Sequence, residues 1–83
     1  PYNTEVTLIF DDEVLHEISP LNESITKYTL IERVDCTEQS FYLYNSTMSA
    51  FILPVSVFKS EQEKTEFVEF LSQKIGASKI KRI

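Results

Sequence analysis

The amino-acid sequence predicts an α+β domain: about six short antiparallel strands in one strongly curved sheet, followed by a single C-terminal helix. Three observations predict it. Apolar residues alternate at period two in short runs as far as Pro54, with turn residues between the runs. After Ser60 the spacing changes to three and four residues, the period of a helix. The runs Phe41-Tyr42-Leu43-Tyr44 and Phe51-Ile52-Leu53 are apolar on both faces and need cover on both sides. A sheet curled on itself, with the helix across one opening, supplies that cover. One flat sheet backed by a helix would instead leave an aromatic surface bare, which would read as a partner site.

Residues 5–10 place Val6, Leu8 and Phe10 on one side of a first strand. Asp11-Asp12-Glu13 follows as a turn, because short carboxylates bond nearby backbone amides. Residues 14–19 resume the alternation and pair back as a hairpin, with His16 on the face of Val14 and Ile18, against the core or at its margin. Pro20-Leu21-Asn22 ends this run, since Pro20 has no N–H to give to a ladder. Residues 23–29 read as the third strand, and Leu30-Ile31-Glu32 as a short helical turn or bulge. Residues 33–37 and 40–45 form a second hairpin around Glu38-Gln39, and residues 50–54 a sixth strand after the turn Ser46-Thr47-Met48-Ser49.

Ser60-Glu61-Gln62-Glu63 is a capping box, in which Ser60 accepts from the Glu63 amide and the Glu63 side chain reaches back to the Ser60 N–H. The helix runs over residues 60–75. Lys64, Phe67, Val68, Leu71 and Ile75 form its stripe, Phe70 widens it, and Glu66, Glu69 and Gln73 lie on the wet face. Gly76, the only glycine in the chain, is placed to cap its C-terminus.

At 83 residues the chain is one domain, 1–83, since a second needs roughly another 50 residues. A net charge of −5 counts against non-specific nucleic-acid binding, whose affinity comes from neutralising phosphates. The lone Cys36 excludes an internal disulfide and a thiolate zinc cluster, and such scarcity fits a reducing cytosol. No apolar run approaches the ~18 residues of a membrane span. Because the chain opens on Pro1 rather than Met, it is expected to be a segment of a longer protein.

Chemistry-bearing residues are few. His16 is the sole histidine, and Cys36 stands beside Asp35, whose carboxylate raises a thiol pKa, so no nucleophile–base pair is indicated. A single glycine cannot build a phosphate-cradling loop. Asp11-Asp12-Glu13 reads as a hairpin turn rather than a cation loop. The tail Lys79-Ile80-Lys81-Arg82-Ile83 reads as a solvated terminus, with contact to an anionic membrane as the alternative. The domain is therefore expected to be no enzyme and to hold no metal or cofactor.

In their order along the chain, several stretches resemble the YcxB-like family, as its C-terminal domain. They are Val6-Thr7-Leu8-Ile9-Phe10-Asp11-Asp12, Tyr28-Thr29-Leu30-Ile31-Glu32-Arg33-Val34, Phe41-Tyr42-Leu43-Tyr44, and Ala50-Phe51-Ile52-Leu53-Pro54 with Phe58-Lys59-Ser60 and the closing helix. One departure is Val55, where a basic residue commonly follows the proline. The resemblance implies a pleckstrin-homology-like partial barrel on the cytoplasmic side of the cell membrane, tethered by about two membrane helices ahead of it in a small bacterial protein. It transfers no reaction. The expected role is regulatory or interactive, by capture of a protein or peptide through Tyr42 and Tyr44 with Lys59 as a polar neighbour, or through a free strand edge. That edge also admits a homo-oligomer. Lipid-headgroup binding by a basic cup of Lys59, Lys64 or the tail is the alternative.

Overall fold

The structure, a computed structural model, describes residues 5–83. Pro1 lies outside the described residues. Seven strands and one helix follow in the order β1 (Thr7–Phe10), β2 (Val14–Ile18), β3 (Glu23–Lys27), β4 (Arg33–Cys36), β5 (Ser40–Tyr44), β6 (Ala50–Pro54), α1 (Glu61–Lys74) and β7 (Ile80–Arg82). The chain is α+β, but its strands form two sheets where one curled sheet was expected. β1-β2-β3 is one and β6-β5-β4-β7 the other, and neither closes on itself. The break falls at Tyr28–Leu30, a 3-10 turn between β3 and β4. It redirects the backbone, so β3 and β4 join different sheets.

A second correction concerns the tail. Residues 80–82 are a strand, paired parallel to β4 with Val34 opposite Ile80 and Cys36 opposite Arg82. The Ile83 N–H donates to the Cys36 carbonyl at 2.9 Å, and Lys79 Nζ to the Ile31 carbonyl at 3.3 Å. The basic tail is thus an edge strand held by main-chain bonds, and the sheet is not wholly antiparallel. The helix provides the crossover that a parallel strand needs.

Both sheets turn one face to a common core of Leu15, Tyr28, Ile31, Val34, Phe41, Leu43, Phe51, Leu71 and Ile75. The helix lies over this core with the expected stripe: Leu71 and Ile75 are buried, and Phe67, Val68 and Phe70 pack against the cluster. Phe67 meets Phe10 from the first sheet and Phe41 from the second edge-on, at 5.0 and 5.3 Å between ring centres. That one ring joins all three layers. On β2 the core residue is Leu15, so Val14, His16 and Ile18 occupy the opposite, outer face. The expectation that His16 faces the core is thereby corrected: Phe10 and Leu15 share a register position, and the alternation of the pleat sends His16 away.

The helix caps follow the sequence with one shift. Ser60 Oγ accepts from the Glu63 amide at 3.1 Å, but Glu63 Oε1 accepts from the Lys59 N–H, not from that of Ser60. Gly76 takes φ 112°, a conformation that side chains resist, directly after the C-cap Ile75. Pro54 is tolerated in β6 for a geometric reason. Val55 donates to Gln39 and Asn45 to Ser49, so residues 49, 51, 53 and 55 bond toward β5. Pro54 then points its N, which carries no hydrogen, at the open edge.

Candidate functional site

β5 alternates strictly. Phe41 and Leu43 are fully buried, while Tyr42 and Tyr44 stand half-buried on the opposite face. The antiparallel registers build that outer face into two rows. Ala50, Tyr44 and Arg33 form one, and Ile52, Tyr42 and Asp35 the other, extended by Lys81 on β7. Within it the Arg33 guanidinium carbon sits 3.8 Å from the centre of the Tyr44 ring, and Arg33 Nε lies 3.5 Å from Asp35 Oδ2. Arg33 is thereby stacked and anchored at once, which holds the Tyr44 ring in place on the sheet. Ile52, beside Tyr42, is 57% exposed. The patch offers two phenols, one guanidinium and an aliphatic side chain on a rigid sheet, a composition typical of protein-recognition surfaces.

Lys59 does not join the tyrosines. It is exposed at the helix start, and its neighbour Phe58 packs on Phe41 and Phe67 at the inner face. Among the described residues, no hydrogen bond or cation–π contact links Lys59 to either ring. Arg33, Asp35 and Ile52 are members of the patch that sequence reasoning missed. The signal was present: a hairpin centred on Glu38-Gln39 sets Arg33 opposite Tyr44 and Asp35 opposite Tyr42, which is the register observed.

The remaining reactive groups are dispersed. His16 Nε2 lies 3.0 Å from Asp11 Oδ2 on the first sheet's outer side, whereas Cys36 belongs to the second sheet and packs against the core. Burial pushes the Cys36 thiol up; Arg82 and Lys64 pull it down, and Asp35 adds to the rise. The acidic turn already has partners within the chain, Asp11 Oδ2 meeting His16 Nε2 and Asp12 accepting from Lys74 Nζ at 2.6 Å. Among the described residues no group of three or more His, Cys, Asp or Glu side chains is placed to hold a metal ion. A cavity of about 210 Å³ opens between the β4–β5 turn, the helix and β7, lined by Cys36, Glu38, Glu61, Lys64 and Arg82 among others.

A family model described as YcxB-like protein matches residues 10–71. That span runs from the end of β1 to Leu71 on the helix and includes the whole tyrosine patch except Lys81. No curated protein and no solved structure matches the chain.

Proposed function

The chain belongs to the YcxB-like family, and from that premise we propose that it is a non-enzymatic interaction domain, regulatory in role, that captures a protein or peptide on the outer face of its four-stranded sheet. The observation that carries this is the Tyr42–Tyr44 face with Arg33 stacked across it, left open on the side away from the helix. Neither tyrosine belongs to the core cluster. Replacing both by alanine should therefore abolish capture of the partner while moving the unfolding midpoint by only a few degrees. Chemical cross-linking in the parent cell, wild type against Tyr42→Ala/Tyr44→Ala, reads the first quantity and thermal unfolding the second. Unchanged cross-links, or a collapse of the fold, refutes the assignment.

The same proposal places the domain on the cytoplasmic side of the membrane, tethered by helices elsewhere in the parent protein. Among the described residues no helix is long and apolar enough to cross a membrane. Two apolar stretches of ~20 residues upstream of Pro1 in the parent sequence are the expected finding, and their absence ends the tethered reading. The proposal extends to kinship with pleckstrin-homology-like folds, for which two sheets and a helix over one core are supporting features.

A second reading is lipid-headgroup binding. It is favoured by Lys64 and Arg82 lining one cavity, as a basic cup requires. Glu38 and Glu61 line it too and offset that charge, so this reading ranks second. Co-sedimentation with anionic vesicles at low salt, lost in Lys64→Glu, supports it; no binding removes it.

A further inference from the structure

We propose that the chain self-associates through the free edge of β3, two copies pairing antiparallel about Ile25 to continue the three-stranded sheet across a two-fold axis. The inference rests on the reading of the chain as an association domain, and uses a surface separate from the tyrosine patch.

The backbone of β3 is prepared for this. Ser19 donates to the Asn22 carbonyl at 2.8 Å and Tyr28 to the Glu13 carbonyl at 3.4 Å, which sets the phase of the β2–β3 ladder. Asn22, Ser24, Thr26 and Tyr28 therefore turn their main-chain groups to β2, and Glu23, Ile25 and Lys27 turn theirs outward. No proline interrupts the strand. An antiparallel second copy centred on Ile25 brings Ile25 against Ile25, Glu23 against Lys27 and Lys27 against Glu23. Each of these is a hydrogen-bonded pair that exchanges both main-chain bonds.

The side chains agree with the backbone. Glu23, Ile25 and Lys27 lie on one face, the outer one, with Ile25 61% exposed. Neither Glu23 nor Lys27 has an ion pair within the chain among the described residues. Across the axis each finds an opposite charge directly opposite, the arrangement that stabilises antiparallel pairs. The rows Ile9–His16–Ile25 of the two copies then merge into one apolar-centred band. On the inner face Ser24 meets Thr26, two small hydroxyl residues that raise no clash.

The other three edges are poorer self-partners. Pairing β1 about Leu8 sets Glu5 against Asp11, acid on acid. Pairing β6 about Ile52 puts Ala50 opposite Pro54, which has no N–H to donate. Pairing β7 about Lys81 sets Lys81 against its own copy, like charge on like charge. A single guard charge blunts an edge in either orientation. Opposite charges at positions symmetric about Ile25 instead select the antiparallel, two-fold arrangement.

A five-residue strand pair falls below standard interface size, so the dimer is weak and concentration-dependent. The test is sedimentation equilibrium of the full chain up to about 1 mM, the regime expected of such small contacts. Wild type should show a monomer–dimer equilibrium that weakens in high salt. Glu23→Lys and Lys27→Glu each replace both cross-strand attractions by repulsions and should weaken self-association by roughly tenfold or more. The double exchange E23K/K27E should restore it. An equimolar mixture of E23K and K27E should form heterodimers, because the all-basic and all-acidic edges complement each other. Both residues are exposed, so the variants should retain the wild-type circular dichroism. A wild-type chain that stays monomeric, or a dimer indifferent to these exchanges, overturns the proposal. Cross-linking by the tyrosine patch is measured on dilute protein in the cell, and neither outcome here decides it.

Discussion

Tyr28→Phe removes one atom from the seam between the two sheets, and its effect should change sign with pH. Tyr28 is 3% exposed, its hydroxyl donates to the Asp11 carbonyl at 2.6 Å, and its ring stands edge-on to Phe70 at 5.9 Å. Burial, then the nearby Asp11 and Asp12 carboxylates, push the phenol up to about 12 from an ordinary value of 10.0. The folded chain thus disfavours phenolate. The stability this represents is fully present below pH 10, where the unfolded chain also keeps its proton, and is lost as pH rises toward 12. The full loss is on the order of 2–3 kcal/mol. At neutral pH the phenylalanine variant lacks one hydrogen bond, a deficit of about 1 kcal/mol. Wild type should lead near neutrality, the two should cross at roughly pH 10.7, and the variant should be the more stable above that. Parallel urea titrations of both chains from about pH 8 upward measure the difference directly, since all other titrating groups are shared. A stability gap that stays constant across that range refutes the placement of Tyr28.

Two further predictions concern the helix. Ser60→Ala removes the acceptor for the Glu63 amide and should cost about 1 kcal/mol, seen as a midpoint fall of roughly 4–8 °C by circular dichroism, with Ser60→Thr near wild type. An unchanged midpoint would show the cap to be dispensable. Asp12 is held below the usual carboxylate range, first by its hydrogen bond from Lys74 and then by that residue's charge. Its contribution is present above its ordinary pKa of 3.8 and disappears as pH falls through the lowered folded value. Acid unfolding of Asp12→Asn should therefore begin from a smaller stability but decline less steeply below pH 3.8, and equal slopes would exclude the Lys74 bridge.

The elements legible in the sequence are those whose patterns are local. The Glu38-Gln39 turn, the alternation of β5 and the Ser60 side-chain cap each depend on neighbours within a few positions, and each appears where it was expected, while the return bond of Glu63 shifts by one residue to Lys59. β7 was hidden because Lys81 and Arg82 dominate a three-residue strand and disguise Ile80, whose partner Val34 lies far back in the chain. The split into two sheets was hidden for a related reason. The local pattern keeps Tyr28 and Thr29 in the third strand and sets the turn or bulge at Leu30-Ile31-Glu32, whereas β3 ends at Lys27 and the 3-10 turn lies at Tyr28–Leu30; its consequence, β3 and β4 in different sheets, is a long-range event. His16 was misplaced because Val14 and Ile18 are as apolar as Leu15; only the pairing of β2 with Phe10 and Thr26 decides which set faces inward.

Surfaces able to bind were the least legible part, and the reason is physical. Twenty or so apolar side chains suffice for one core in a chain this small, and a sheet has two faces, so some apolar residues must stay outside. Their presence alone marks no site. What separates the tyrosine patch from a stray Ile or Leu is the Arg33 guanidinium fixed on Tyr44, a contact between strands that no single run of sequence displays. What separates the β3 edge from the others is likewise relational: the phase of its outward amides and two charges placed symmetrically about Ile25. The proposed capture surface is therefore best tested at its cross-strand pairs, and a substitution that leaves each residue's class intact while altering its register partner, such as Arg33→Lys beneath the Tyr44 ring, discriminates better than deletion of either tyrosine alone.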